Sequence, residues 1–225
     1  SLDLTIPEID KDLVKFFKDF TDDGNHVTIR GEFTRRVLEH YGVTKNIHVT
    51  GCQSLFLNGH TQLGKIIKNK IDDLSDDMIY FSQFSYETEL NKVFDMLSEK
   101  SKYVMVNGCD KLMLNLKNNS MTEIEGVSLP NNILEKSKIF VSPHKQAEFL
   151  RQQNAFVLTP RIHGAMISIS AELPALCIAH DSRVHELCET HKIPHCDIKT
   201  LLTNPTKSLF NSEHYGEEFD TNRQK

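Results

Sequence analysis

"AFVLTPRIHGAMISISAELPALCIAHDSRVHEL", residues 155–187, decides the fold. "AFVLT" is a short apolar run without alternation, as expected of a strand buried on both faces. After Thr159 the apolar residues Ile162, Met166, Ile169 and Leu173 return at helical spacing. Gly164, Ala165, Ser168 and Ser170 are small enough to let that helix lie close to its neighbours. "ALCIAH" is a second buried strand, and Asp181 is a good N-cap for the helix that follows it. A helix that carries the chain from one strand to the next makes the two strands parallel.

The same alternation extends in both directions. "IPEIDKDLVKFFKDF" reads as a helix with Ile9, Leu13, Phe16, Phe17 and Phe20 on one face, stopped by Asp22-Asp23-Gly24. "HVTIR", "NIHVT", "MIYFSQF", "YVMVNG" and "KIFVS" read as strands. Helices are expected in "GEFTRRVLEHYG" and over 61–72, 86–100, 144–153, 162–172 and 182–192, with an irregular stretch at 108–137 and a short final strand "HCDI". Strand-helix repetition of this kind gives an α/β fold, a doubly wound Rossmann-like parallel sheet with helices on both faces. Residues 1–203 are expected to form this one domain. The polar residues 204–225 read as a C-terminal tail or a loosely docked helix. A parallel sheet usually begins with a strand, whereas this sequence begins with "SLDLTIP" and a helix, so an N-terminal partner domain is expected to be missing.

Of the 225 residues, 39% are hydrophobic and 25% charged, an ordinary globular balance that allows a sizeable core. The formal net charge of -5 offers no general attraction to nucleic acid or to an anionic membrane surface. Any anion must be held by a local cluster of cations. The five cysteines are odd in number and form no CxxC pair, so they read as reduced thiols and the location as cytoplasmic. No run approaches the roughly 18 apolar residues of a membrane span, which leaves only peripheral membrane association open.

In a doubly wound sheet, ligands sit outside the carboxyl ends of the strands. Arg161, His163 and Gly164 directly follow one strand, and His180, Asp181 and Arg183 follow the next, with Glu186 one turn further on. Arg161 offers a planar fork suited to phosphate or carboxylate, and His163 titrates near neutrality. Taken singly, Arg161 reads more readily as a salt-bridge residue and His163 as a satisfied hydrogen bond; their shared position beside a helix start favours an anion site. Asp181 and Glu186 read either as helix-start stabilisers or as acid-base groups. Arg183 opposes the helix dipole in the first turn and is better explained by an anion or an acidic neighbour. By the same logic Arg30 stands at the end of "HVTIR". Gly51, Cys52, Gln53 and Ser54 could form a backbone cradle, and His144 and Lys145 follow "KIFVS".

His180, Asp181, His185, Cys188 and His191 crowd together in sequence, but the step of three from His185 to Cys188 to His191 drifts around a helix. No HExxH pair occurs, so no metal site is expected. Neither GxGxxG nor GxxxxGK[ST] is present, and no cofactor is expected.

"VTIRGEFTRRVLEHYGVTKNIHVTGCQSLFLN" and "TPRIHGAMISISAELPALCIAHDSRVHELCETHKIPH" together resemble the polysaccharide pyruvyl transferase family, whose members show a strand ending in Arg before a GEFT-type helix start, then GCxS, RxHG and HDSR, in that order. The resemblance covers residues 26–66 and 138–198. It implies the C-terminal half of a GT-B-type two-domain architecture and an enzyme that moves the pyruvyl group of phosphoenolpyruvate onto two hydroxyls of a cell-surface polysaccharide or its precursor, forming a ketal and releasing phosphate. The acceptor it implies is a saccharide or lipid-linked saccharide. On the matching positions it implies Arg161 and His163 in donor binding and catalysis, Arg30 as the upstream arginine, and Arg183 as a further cation. The expected site is thus His163, Asp181 and Glu186 for catalysis, with Arg30, Gly51, Ser54, Arg161, Gly164, Arg183, His144 and Lys145 for binding. A nucleotide-sugar glycosyltransferase of GT-B type and a non-catalytic assembly module are the alternatives, and homo-oligomer formation is compatible with the sequence.

Overall fold

A computed structural model describes residues 5–82, 93, 96–106, 123–124, 127–128, 133–203 and 209–224. In chain order the elements are α1 (Lys11–Asp22), β1 (Val27–Ile29), α2 (Glu32–His40), β2 (Ile47–Val49), a 3-10 turn (Gln53–Phe56), α3 (Leu63–Ile71), β3 (Met78–Ser82), β4 (Tyr103–Val106), β5 (Glu123–Ile124), β6 (Val127–Ser128), α4 (Ile133–Lys136), β7 (Ser137–Ile139), α5 (Pro143–Arg151), β8 (Phe156–Thr159), α6 (Ile162–Ser170), β9 (Ala175–Ile178), α7 (Ser182–His191), β10 (His195–Cys196), α8 (Ile198–Thr203), a second 3-10 turn (Ser212–Tyr215) and α9 (Glu217–Arg223). Most of the helix expected over 86–100 and much of the stretch at 108–137 lie outside the described residues.

Six strands form one sheet in the order β10-β9-β8-β3-β4-β7, and every pair in it is parallel. The chain winds outward from β3 through β4 to β7, returns to the other side of β3, and winds outward again through β8, β9 and β10. The winding therefore reverses between β3 and β8, the place beyond whose strand ends doubly wound sheets generally bind ligands. This is the Rossmann-like doubly wound fold.

Burial explains why these segments are strands. Ile79, Tyr80, Phe81, Val157, Leu158, Ala175, Cys177 and Ile178 are all 0% exposed, so both faces of each strand are covered and the sequence has no reason to alternate. Gly164 lets α6 lie against the sheet. A Cβ there would stand 2.7 Å from the Phe81 ring and 2.8 Å from the Thr159 hydroxyl oxygen, closer than real contacts allow.

Two expectations are corrected. First, β1 and β2 do not join the main sheet. They pair with each other in parallel, Val27 to Ile47 and Ile29 to Val49, over a small separate core of Ile29, Leu38 and Val43. Among the described residues the β1-β2 pair and the antiparallel β5-β6 pair thus stand as sheets of their own, because a strand's apolar pattern does not specify its pairing partner. Second, the residues expected as a polar tail or a loosely docked helix include the helix α9 and pack closely from 209 onward. Tyr215 and Phe219 are each 1% exposed, and the Tyr215 hydroxyl both donates to the Ala175 carbonyl and accepts from the Ala175 amide at 2.7 Å. Two aromatic rings spaced by one helical turn suffice to bury a segment that is polar elsewhere.

That segment also caps a helix distant in sequence. Gln62 at the start of α3 gives no side-chain cap. Instead the Asp220 carboxylate accepts from the amides of Gly64 at 2.6 Å and Lys65 at 3.1 Å. Among the described residues no helix is long and apolar enough to cross a membrane.

Replacing Asp220 with alanine leaves two amides at the start of α3 without their acceptor, and stability is expected to fall by about 1–3 kcal/mol in urea unfolding. Unchanged stability would return residues 209–224 to the status of an ornament on the domain.

Candidate functional site

The crevice is built from the ends of β8 and β9. The Arg161 amide donates to the Thr159 hydroxyl at 2.9 Å, and that hydroxyl donates to the Arg161 carbonyl at 3.0 Å, so the Thr-Pro-Arg turn is fixed by its own side chain. The turn places Arg161 at the N-cap of α6 with no side-chain cap bond. The positive end of the helix and its first amides lie beside the guanidinium.

Two recesses meet at one residue. One, of about 300 Å³, is lined by Arg161, His163, His180, Asp181 and Arg183 among others. The second, of about 370 Å³, is lined by Thr28, Arg30, Gly51, Cys52, Ser54 and His163 among others. His163 belongs to both. Burial, followed by the charges of Arg30, Arg183 and Arg161, pushes its pKa below the ordinary 6.5. Three guanidinium groups from three different strand ends thus act on one imidazole. Burial also lowers the Arg161 pKa, although a guanidinium stays charged at any physiological pH. Among the described residues neither Arg30 nor Arg183 forms an ion pair. An anion entering the crevice would meet these two cations without displacing a described carboxylate.

Not every expected residue reaches the crevice. His144 and Lys145 start α5, after β7 at the far edge of the sheet, with β4 and β3 between them and β8. They line neither recess. Gly164 is buried in the contact between α6 and the sheet and serves packing. Glu186 is engaged elsewhere: its Oε1 accepts from the amides of Phe33 at 2.5 Å and Thr34 at 3.1 Å, and so caps the start of α2 from α7. That carboxylate oxygen is committed to capping another helix and is turned away from the crevice residues. Asp181 caps its own helix through Oδ1, which accepts from Val184 at 2.7 Å. Its Oδ2 lies 3.6 Å from His180 Nε2.

The structure brings two further side chains to the site: Cys52, expected there only as backbone of the cradle, and His191. Cys52 Sγ lies 3.6 Å from His163 Nε2, at the junction of the recesses. The Cys52 amide donates to His191 Nε2 at 2.6 Å, so the loop expected as an anion cradle has one of its amides held by protein. Gly51 adopts φ +69°, and a Cβ there would stand 2.1 Å from the His191 ring. Only glycine satisfies both demands. Cys52 was legible as the residue after a strand and a glycine. No local signal marks His191, which comes from the last turn of α7 and meets Cys52 only through the fold.

A family model described as polysaccharide pyruvyl transferase matches residues 4–182, a span that holds Arg30, Cys52, Arg161, His163 and Asp181 and stops just before Arg183 and Glu186. No curated protein and no solved structure matches the chain.

His191 is 4% exposed, and burial, assisted by the charge of Arg223, pushes its pKa down to about 4. The unfolded chain takes up a proton near pH 6.5 that the folded chain refuses. The stability contributed by the neutral ring is therefore present above about pH 6.5 and lost as pH falls toward 4, to the extent of at most about 3 kcal/mol. Urea unfolding at pH 7 and pH 4.5 is expected to show this loss in the native sequence and a smaller one in His191→Gln. Equal losses in the two proteins would count against the assignment.

Proposed function

The chain belongs to the polysaccharide pyruvyl transferase family and is a transferase enzyme, and on that premise we propose that it moves the pyruvyl group of phosphoenolpyruvate onto two hydroxyls of a saccharide acceptor. The observation that carries this reading is the position of His163, shared by two adjoining recesses and surrounded by Arg30, Arg161 and Arg183. The donor presents a phosphate and a carboxylate. Arg161 and Arg183, with the first amides of α6, suit one recess to these groups. Arg30, with Ser54 and the Gly51-Cys52 turn, lines the other, which is left for the acceptor hydroxyls.

The reaction needs protons moved at defined atoms. A proton joins the methylene carbon, and an acceptor oxygen bonds to the neighbouring carbon and gives up its own proton. The bond to phosphate then breaks, and the second hydroxyl oxygen takes its place. Of the two hydroxyl protons, one is accounted for in the new methyl group and the other in the released phosphate. Developing positive charge at carbon and negative charge at the departing phosphate are stabilised by fixed groups. His163 begins neutral, because burial and three cations disfavour its charged form. An arriving anion reverses that balance, so the donor charges the acid that will protonate it. Glu186 holds α2 against α7 in this scheme and takes no part in proton transfer. Of the two acids, Asp181 with His180 remains to receive a hydroxyl proton. We propose a cytoplasmic location, on the odd number of cysteines and the lack of a CxxC pair in the sequence.

Calorimetric titration with phosphoenolpyruvate near pH 7, in buffers of different ionisation enthalpy, is expected to show net proton uptake on binding. His163→Ala should abolish the uptake while retaining binding. Uptake that persists in the variant would remove His163 from this role. A sugar nucleotide that binds while phosphoenolpyruvate does not would replace the donor class altogether.

Arg161→Ala is expected to weaken donor binding by about ten- to a hundredfold, as befits a lost charge-assisted contact. With acceptor present, His163→Ala should slow phosphate release by about 10²- to 10⁴-fold.

A further inference from the structure

Away from the crevice, α7 carries a second constellation that the transfer chemistry leaves unused. His185 and Glu189, four residues apart, project from one face of the helix. His195 in β10 meets them, and one ligand atom from each of the three lies within 4.8 Å of the other two. The residues that crowded this helix in sequence have other engagements: His191 turns to the Cys52 amide, and Cys188 is buried beside Cys177. The third member comes from the strand, across a connection whose Lys192 adopts φ +56° and turns the chain back sharply.

The contacts of His195 suit a metal ligand. Its Nδ1 lies 3.0 Å from the Ile193 carbonyl, which can only accept, so Nδ1 carries the hydrogen. In the neutral ring Nε2 is then a bare lone pair, and it faces Glu189 Oε1 at 3.3 Å. Two acceptors at that distance repel unless a positive charge stands between them. A proton would satisfy this pair alone. The His185 ring, however, stands edge-on to His195 with centroids 5.0 Å apart at 84°, and its side chain makes no hydrogen bond among the described residues. A tetrahedral ion with bonds of about 2.0–2.1 Å separates its ligand atoms by about 3.3 Å, the spacing already present between His195 and Glu189. The carbonyl behind Nδ1 is the outer partner that metal-bound histidines usually have. Two imidazoles and a carboxylate suit zinc and its borderline neighbours over magnesium or calcium, which prefer all-oxygen sites.

We propose that His185, Glu189 and His195 bind one divalent transition ion of the zinc class, with water completing its coordination. A cavity of about 310 Å³ that Glu189 and His195 help to line gives the ion access to solvent. The ion clamps the C-terminal half of α7 to β10 at the sheet edge. The helix so held is the one that carries Arg183 at its start and His191 at its end.

The test is zinc titration of the chelator-treated full chain, followed by calorimetry and thermal melting, with cobalt as an optical probe of tetrahedral geometry. One ion per chain, a raised melting temperature and the strong visible absorption of tetrahedral cobalt are expected. His195→Ala, His185→Ala and Glu189→Gln should each weaken zinc binding at least tenfold. Glu189 is half exposed, so its variant gives a readout even if a histidine variant fails to fold. His26→Ala, which breaks the separate His26–His48 pair, should leave affinity unchanged. Absence of stoichiometric binding, native affinity in Glu189→Gln, or loss of binding in His26→Ala would each overturn the proposal. None of these outcomes bears on donor binding.

Discussion

The reversal of winding between β3 and β8 is the constraint from which the rest of the molecule follows. Parallel strands hydrogen-bond along their whole length and are covered by helices on both faces, so a ligand can reach polar groups only beyond the strand ends. Where neighbouring crossovers leave in opposite directions, doubly wound sheets generally leave room for a ligand beyond the strand ends. The turn after β8 stands at that reversal, and it carries Arg161 and His163. The apolar runs that build the sheet therefore also decide where an arginine and a histidine become available to solvent.

A second dependence runs across the two sheets. Glu186 from α7 caps α2, and His191 from the same helix holds the Cys52 amide that follows β2. Arg30 and Cys52 stand at the ends of the small sheet, Arg161 and His163 at the ends of the large one. One helix sets the distance between them. The C-terminal segment supports that helix from behind: Asn222 donates to the Thr190 carbonyl at 2.9 Å, and Arg223 reaches the carbonyls of Asn58 and His60 in the loop after the 3-10 turn. A polar terminal segment is thus connected, through α7 and that loop, to the imidazole at the junction of the recesses. The proposed ion would act on the same helix from its remaining free face.

Polar groups decide this arrangement more than apolar area does. The surface pairs Lys45–Asp22, Lys68–Glu213 and Lys102–Asp77 are exposed and each contributes little. The buried contacts of His191, Asp220 and Tyr215 are different in kind, because losing one partner leaves another group desolvated and unpaired.

What the sequence by itself determined was everything with a short period or a fixed position relative to a strand end. The alternation of apolar runs with 3.6-residue patterns was sufficient for a parallel α/β sheet, and Arg30, Arg161, His163, Asp181 and Arg183 were legible because each directly follows an apolar run. Tertiary structure alone decided which strands pair, and hence that β1 and β2 stand apart and that His144 and Lys145 open at the far edge of the sheet. It also decided what each carboxylate and imidazole does: Glu186 could be read as a base until Phe33 and Thr34 claimed it, and His191 as a surface helix residue until Gly51 made room for its ring. The physical reason is range. Backbone propensity and side-chain periodicity act over a few residues and are written locally, whereas a hydrogen bond between residues about 140 to 150 positions apart exists only once burial has brought them together and removed the water that would otherwise have served both.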